Sequence, residues 1–178
     1  MPLPETIVAA LDRWAEPIMQ TVALAAPRSS APGTGDLNDM VWYQLDSGGK
    51  RIRPLIVLLA TEALGGSPDS ALPFAAGVEL LHNATLVHDD FQDGDTVRRG
   101  NPTLWQRYGW EQSINAGDGL YFAGLSLIAQ TAIPNGDLRR LLATVAQRMS
   151  QVIAGQVNEF RLKDASLQGT SDREQAYI

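Results

Sequence analysis

The architecture open to this sequence is set first by one stretch. It starts near Ser70, is rich in apolar residues through Leu81, Leu86 and Val87, and ends in an acidic cluster at Asp89. Its length and apolar density predict a central helix that other elements must cover. Apolar residues also recur at helical spacing from Pro4 to about Ala26 (Ile7, Ala10, Leu11, Trp14, Ile18, Val22, Ala25), with Pro17 expected to kink or break that helix. Residues 27–36 read as a loop, and Leu37 to Asp46 as a short helix stopped by Ser47-Gly48-Gly49. Pro54 suits the first turn of a helix reaching about Leu64, which Gly65-Gly66-Ser67-Pro68 ends. Beyond the acidic cluster, Asn101-Pro102 breaks the pattern, Trp105 to Tyr108 suggests a turn of helix, and Gln112 to Thr131 reads as a further buried helix. After the turn at Pro134-Asn135-Gly136, Asp137 is expected to cap a helix from about Leu138 to Leu162, and Ser171 to Glu174 to open another. No apolar run has a period of two, so the expected class is all-α, in a single domain spanning residues 1–178.

Composition narrows the function. The 178 residues are 44% apolar and 19% charged, as expected of one soluble globular domain. The net charge of -6 offers no basic field for a nucleic-acid backbone, so no nucleic-acid partner is expected. The absence of cysteine excludes disulfides, thiolate nucleophiles and zinc-thiolate sites and fits a cytoplasmic location. Glu5 and Asp12 interrupt the first apolar run and no basic residue precedes it, so neither a secretory signal nor a membrane span is read there. With His82 and His88 as the two histidines, a metal would be held mainly by oxygen.

At about 100° per residue, His82, Asp89 and Asp93 fall nearly on one line of a helix, with Asp90 about a quarter turn away. Carboxylates that converge raise one another's pKa unless a cation neutralises them. Mg²⁺, held by one or two carboxylates together with phosphate oxygens, is the natural remedy, and Arg98 and Arg99 then make sense as phosphate donors. The plainer alternative is a solvated helix end with surface ion pairs. A second basic group, Gly48-Gly49-Lys50-Arg51-Ile52-Arg53-Pro54, sits where a helix N-terminus would favour an anion, although it lacks a Walker spacing and could be an exposed basic turn. Two basic groups and one acidic group suggest two anionic ligands, one of them bridged by metal.

The segments GGKRIRP, LLHNATLVHDD running into DDFQD, and RRGNPTLW together resemble the trans-isoprenyl diphosphate synthases, the polyprenyl synthetase family. Asn115-Ala116-Gly117-Asp118 and Gly155-Gln156 extend the resemblance, which runs from about Val41 onward. It implies a bundle of long antiparallel helices around a deep cavity, usually a homodimer, that condenses an allylic diphosphate with isopentenyl diphosphate. By the same resemblance, Asp89 and Asp93, with Asp90 beside them, would hold Mg²⁺ on the allylic diphosphate, and Arg98 would grip that diphosphate. Lys50, Arg53, His82 and Arg99 would hold isopentenyl diphosphate, and Gln156 would face the reacting allylic end. His82 and His88 would hold ligand or support structure, because departing diphosphate can take the final proton.

Ala84 and Thr85, five and four positions before Asp89, are small where family members that stop at fifteen carbons often carry aromatics; geranylgeranyl diphosphate or a longer product is therefore expected. Asn101 and Glu159 depart from the family pattern without removing charge from the metal. The chain ends at Ile178, before the Lys-Thr pair and second aspartate-rich motif that the family pattern continues into; neither Asp164 nor Asp172 substitutes for them. The resemblance thus implies a bundle lacking its C-terminal helices, with diphosphate binding but little turnover unless the chain associates with itself or with a chain supplying the missing half. A helical scaffold that binds diphosphate or an isoprenoid without catalysis is the alternative, and a terpene cyclase is a neighbour that would not need the second anion group.

Overall fold

The computed structural model of the chain describes residues 4–163. The helix expected at Ser171 to Glu174, like Asp164 and Asp172, lies outside those residues. The chain divides into two compact units, residues 1–132 and 133–178.

The first unit contains α1 (Glu5–Ala25), α2 (Leu37–Asp46), α3 (Ile52–Ala63), α4 (Pro68–Asp93), α5 (Leu104–Tyr108) and α6 (Trp110–Ala129). Helix α4 is the central one, packing most extensively against α6 and then against α3 and α1. Eleven of its residues are buried, from Ala71 to Asp90. Helix α1 lays Trp14, Ile18 and Val22 into the core, one every fourth residue. That stripe holds α1 together across Pro17, where the sequence suggested a kink or break and the helix instead continues.

Backbone meets backbone where α4 and α6 cross at Gly77 and Gly124. A Cβ on Gly77 would lie 2.7 Å from the Gly124 carbonyl oxygen and 2.5 Å from Ile128 Cγ1. Helix α6 was expected to be buried throughout, yet its buried residues, including Ser113, Ala116, Leu120, Gly124 and Leu127, form one stripe. Trp110 and Phe122 on the same helix are exposed.

One strand pair interrupts the helices. Val97–Arg98 (β1) pairs antiparallel with Asn101–Pro102 (β2). Arg99 and Gly100 between them both have positive φ, 53° and 83°, as a type I′ turn requires. Four residues are too few for a visible alternation, so no period-two signal marked them in the sequence. The second unit's described part is α7 (Asn135–Lys163). It begins two residues before the expected cap, so Asp137 lies in the first turn and accepts a hydrogen bond from Arg140 Nη2 at 2.9 Å.

Candidate functional site

The C-terminal turns of α4 carry the acidic residues. Asp89 is half-buried and Asp93 exposed. Burial, and next the neighbouring charge of Asp93, push the Asp89 carboxyl above its ordinary range. Asp90 behaves differently. The quarter-turn offset sends it into the core, where it is 1% exposed and paired with the guanidinium of Arg98. Burial pushes its carboxyl up as well, while Arg98 pulls it down. Its Oδ2 is buried without a hydrogen-bond partner. The expected convergence of three carboxylates is therefore replaced by an Asp89–Asp93 pair one turn apart and an inward Asp90. Among the described residues, no three His, Cys, Asp or Glu side chains are grouped as metal ligands.

Arg98 comes from the β1–β2 hairpin, which Trp105 and Thr103 tie down. Trp105 Nε1 donates to the carbonyls of Asp95 (2.7 Å) and Asp90 (3.1 Å), and Thr103 Oγ1 donates to the Asp95 carbonyl at 2.8 Å. The sequence marks Trp105 as the start of a helical turn and the end of a motif; its indole also locks the hairpin to the end of α4.

Arginines of the two basic groups, Arg51, Arg53, Arg98 and Arg99, gather around His82, further back along α4. Arg53 Nη1 lies 3.1 Å from His82 Nε2. A guanidinium has no lone pair to offer, so His82 accepts through Nε2 and is neutral. Burial, and then the charges of Arg53, Arg99, Arg98 and Arg51, push its pKa down to about 4. Arg99 is lowered too, by burial first and then by Arg51 and Arg98. In both, burial leads and the neighbouring positive charge adds to it; the charge part is what an anion would relieve. Gly49 makes this gathering feasible: it has φ of 134°, and a Cβ there would stand 2.9 Å from Arg99 Nη1 and 3.0 Å from Arg51 Nη1. Lys50, Arg53 and Arg99 are exposed. His88 is apart from this cluster, packed on Gly117 and beside Tyr121.

The His82 shift carries a pH signature. Its folded pKa lies below the unfolded value of 6.5, so the unfolded chain binds more protons between those values. The stability contributed by neutral His82 is present above pH 6.5 and is lost as pH falls toward 4. Subtracting the Tm–pH profile of His82→Gln from that of the parent chain is expected to isolate a decline in this window. A flat difference would show that His82 titrates normally.

Three residues beside the site were given no individual role by the sequence. Arg51, named there only within the basic turn, donates to the Leu45 carbonyl (2.6 Å), to Glu79 Oε1 (2.7 Å) and to the Gly48 carbonyl (3.3 Å). Glu79, its buried partner on α4, and Asn83, which donates to Glu79, received no reading from the sequence; their i, i+4 spacing was the available signal. Gln156 and Glu159 lie on α7, in the second unit. Ala84 is fully buried in the core cluster, whereas Thr85 is half-buried and bonds through its hydroxyl to the His82 carbonyl at 2.7 Å.

A mostly helical unit thus sets a carboxylate pair and several guanidinium groups along one central helix, a helical class of fold with a charged site at the end of its core helix. The polyprenyl synthetase family model matches residues 35–178. A geranylgeranyl diphosphate synthase of Methanosarcina mazei is 37% identical over 114 residues, 64% of this chain and 35% of that relative. A farnesyl diphosphate synthase of Geobacillus stearothermophilus is 38% identical over 131 residues, 70% of this chain and 44% of that relative. The crystal structure of a geranylgeranyl pyrophosphate synthetase from Pyrococcus horikoshii superposes with a TM-score of 0.87 at 30% identity, covering 97% of this chain and 52% of that one. The chain belongs to the polyprenyl synthetase family. It spans about half the length, or less, of these relatives.

Proposed function

We propose that this chain carries the substrate-binding half of a prenyltransferase that condenses an allylic diphosphate with isopentenyl diphosphate. The observation that carries the reading is the single face of α4 on which Asp89 and Asp93 follow a neutral His82 surrounded by arginines. Asp89 and Asp93 suit Mg²⁺, because a cation offsets both the burial and the Asp93 repulsion that raise Asp89, and because this ion takes few protein carboxylates, leaving positions for water and phosphate oxygens. Bound there, Mg²⁺ would supply neutralisation of the charge that builds on the leaving diphosphate.

The chain's own residues account for the rest. Lys50, Arg53 and Arg99, with His82 between them, would hold the second diphosphate, and Arg98 would face the first from the hairpin. Ionisation breaks the allylic C–O bond, the alkene of isopentenyl diphosphate forms the new C–C bond, and the proton lost from the adjacent carbon passes to the released diphosphate. Gln156 would lie beside the reacting end. No helix among the described residues is long and apolar enough to cross a membrane. We assign the chain to the cytoplasm, working as a homodimer or with a chain that supplies a second metal-binding wall, and assign a product of geranylgeranyl length or longer on the small size of Ala84 and Thr85.

In a second reading it binds diphosphates and turns them over only with a partner chain. Incubation with radiolabelled isopentenyl diphosphate, geranyl or farnesyl diphosphate and Mg²⁺ separates the two. Labelled prenyl diphosphate that disappears in Asp89→Ala supports the enzyme, and a product ending at fifteen carbons sinks the length assignment. Binding without product supports the partner-dependent reading; the absence of both rejects the function.

A further inference from the structure

Helix α4 carries a second polar stripe, buried rather than facing ligand. Glu79 and Asp90 are eleven residues apart, which brings them within roughly 20° of one line at 100° per residue. Asn83 lies one turn beyond Glu79, and all three are at most 3% exposed. Each carboxylate on this stripe meets one arginine of a different basic turn: Glu79 meets Arg51 of the turn before α3, and Asp90 meets Arg98 of the hairpin. Close to each of these another arginine, Arg53 in the first turn of α3 or Arg99 in the hairpin, is left exposed.

Resting on the diphosphate-binding reading above, we infer that Glu79 and Arg51 are positioning residues: the buried pair sets the 45–51 turn so that Lys50, Arg53 and Arg99 converge on the diphosphate of isopentenyl diphosphate. Four observations support this. The ion pair is short, 2.7 Å, with side chains 4% and 11% exposed, so neither charge is left to water. Asn83 Nδ2 donates to the Glu79 side chain and to its carbonyl, both at 2.9 Å, which fixes the carboxylate rotamer. Arg51 spends its remaining donors on the Leu45 and Gly48 carbonyls, the end of α2 and the turn itself. Its backbone holds φ of 50°, a left-handed conformation that a residue other than glycine keeps only when its surroundings impose it.

The geometry also explains why Arg51 is no ligand residue. Its guanidinium is occupied on three sides, and it stands beside Gly49 as a wall against which Arg99 rests. The pair is formally neutral, with Glu79 offsetting part of the Arg51 charge felt at Arg99, and what it chiefly supplies is shape. A buried ion pair exchanged for apolar groups of similar volume often leaves stability intact, which separates shape from folding in a test.

The test is the charge-balanced double variant Arg51→Met with Glu79→Leu, titrated calorimetrically with isopentenyl diphosphate in EDTA and, separately, with farnesyl thiodiphosphate and Mg²⁺. The expected result is a loss of about ten- to a hundredfold in affinity for isopentenyl diphosphate, as misplaced binding groups cause. Affinity for the Mg²⁺-dependent allylic analogue is expected to be unchanged, and amide exchange faster across residues 47–52. Parental affinity in the double variant overturns the proposal. Should that variant not fold, Glu79→Gln decides, since it keeps acceptors for Arg51 and Asn83 but removes the charge. Weaker binding with faster exchange at 47–52 supports positioning, whereas unchanged or tighter binding overturns it. If the parent chain binds neither diphosphate, the underlying functional reading fails and this inference falls with it, an outcome distinct from parental affinity in the variant.

Discussion

Gly77→Ala is expected to destabilise the first unit by about 3 kcal/mol, the range in which overpacking of a dense core falls. For a chain of this size that corresponds to a fall of roughly 6–12 °C in Tm. The sign is not obvious in advance, because Gly77 is inside α4 and alanine there improves helix propensity by about 1 kcal/mol. The decisive fact is what the added methyl meets. At Gly117 the obstruction is the ring of His88, a side chain that can turn. At Gly77 it is the Gly124 carbonyl at 2.7 Å, part of the α6 backbone, together with Ile128 Cγ1 at 2.5 Å. The helices must separate, and the contact that organises the core opens along its length. Gly155→Ala, on α7 with open space around the added methyl, isolates the propensity gain and is expected to be neutral or slightly stabilising. Equal Tm values for the two variants would show that α4 and α6 do not touch at Gly77.

That crossing shows where sequence reading stops. Gly117, Gly119 and Gly124 were visible as glycines within a helix, but the partner against which each is small belongs to another helix and has no local signature. The helices themselves were legible, because apolar spacing and Gly/Pro punctuation are local: α2 matches its expected span, and α4 and α6 begin within two residues of theirs. Pro17 does not break α1, because the local rule is outweighed by the buried stripe of Trp14, Ile18 and Val22. In the site, the rotation rule separated Asp90 from Asp89 and Asp93, yet gave no means of telling whether the offset face met solvent or core. Burial decided that, and with it the pairing with Arg98. Glu79 was hidden for the same reason: a lone carboxylate in an apolar run looks like an interruption until the arginine that reaches it from 28 residues away is known.

Asp89→Asn with Asp93→Asn is expected to abolish the Mg²⁺-dependent part of allylic diphosphate binding while raising the stability of the metal-free chain. The two effects have one origin. Burial and the charge of Asp93 hold the Asp89 carboxyl above its unfolded value, so the charged form that prevails at neutral pH is disfavoured by the fold. The sign follows: Asp89 favours folding when protonated, and that contribution is lost as pH rises through its folded pKa. Amides remove the penalty, and with it the donors that a hard cation selects. At neutral pH, therefore, the variant is expected to melt above the parent in EDTA. With Mg²⁺ and farnesyl thiodiphosphate at about a hundred times the dissociation constant, the parent gains about 2.7 kcal/mol by linkage. For a chain of this size that is roughly 5–11 °C. The variant gains little, so the order of the two melting curves reverses on adding ligand. Parallel shifts in both proteins would mean that the cation is held elsewhere, and a variant less stable than the parent in EDTA would mean that Asp89 and Asp93 serve the fold instead of straining it.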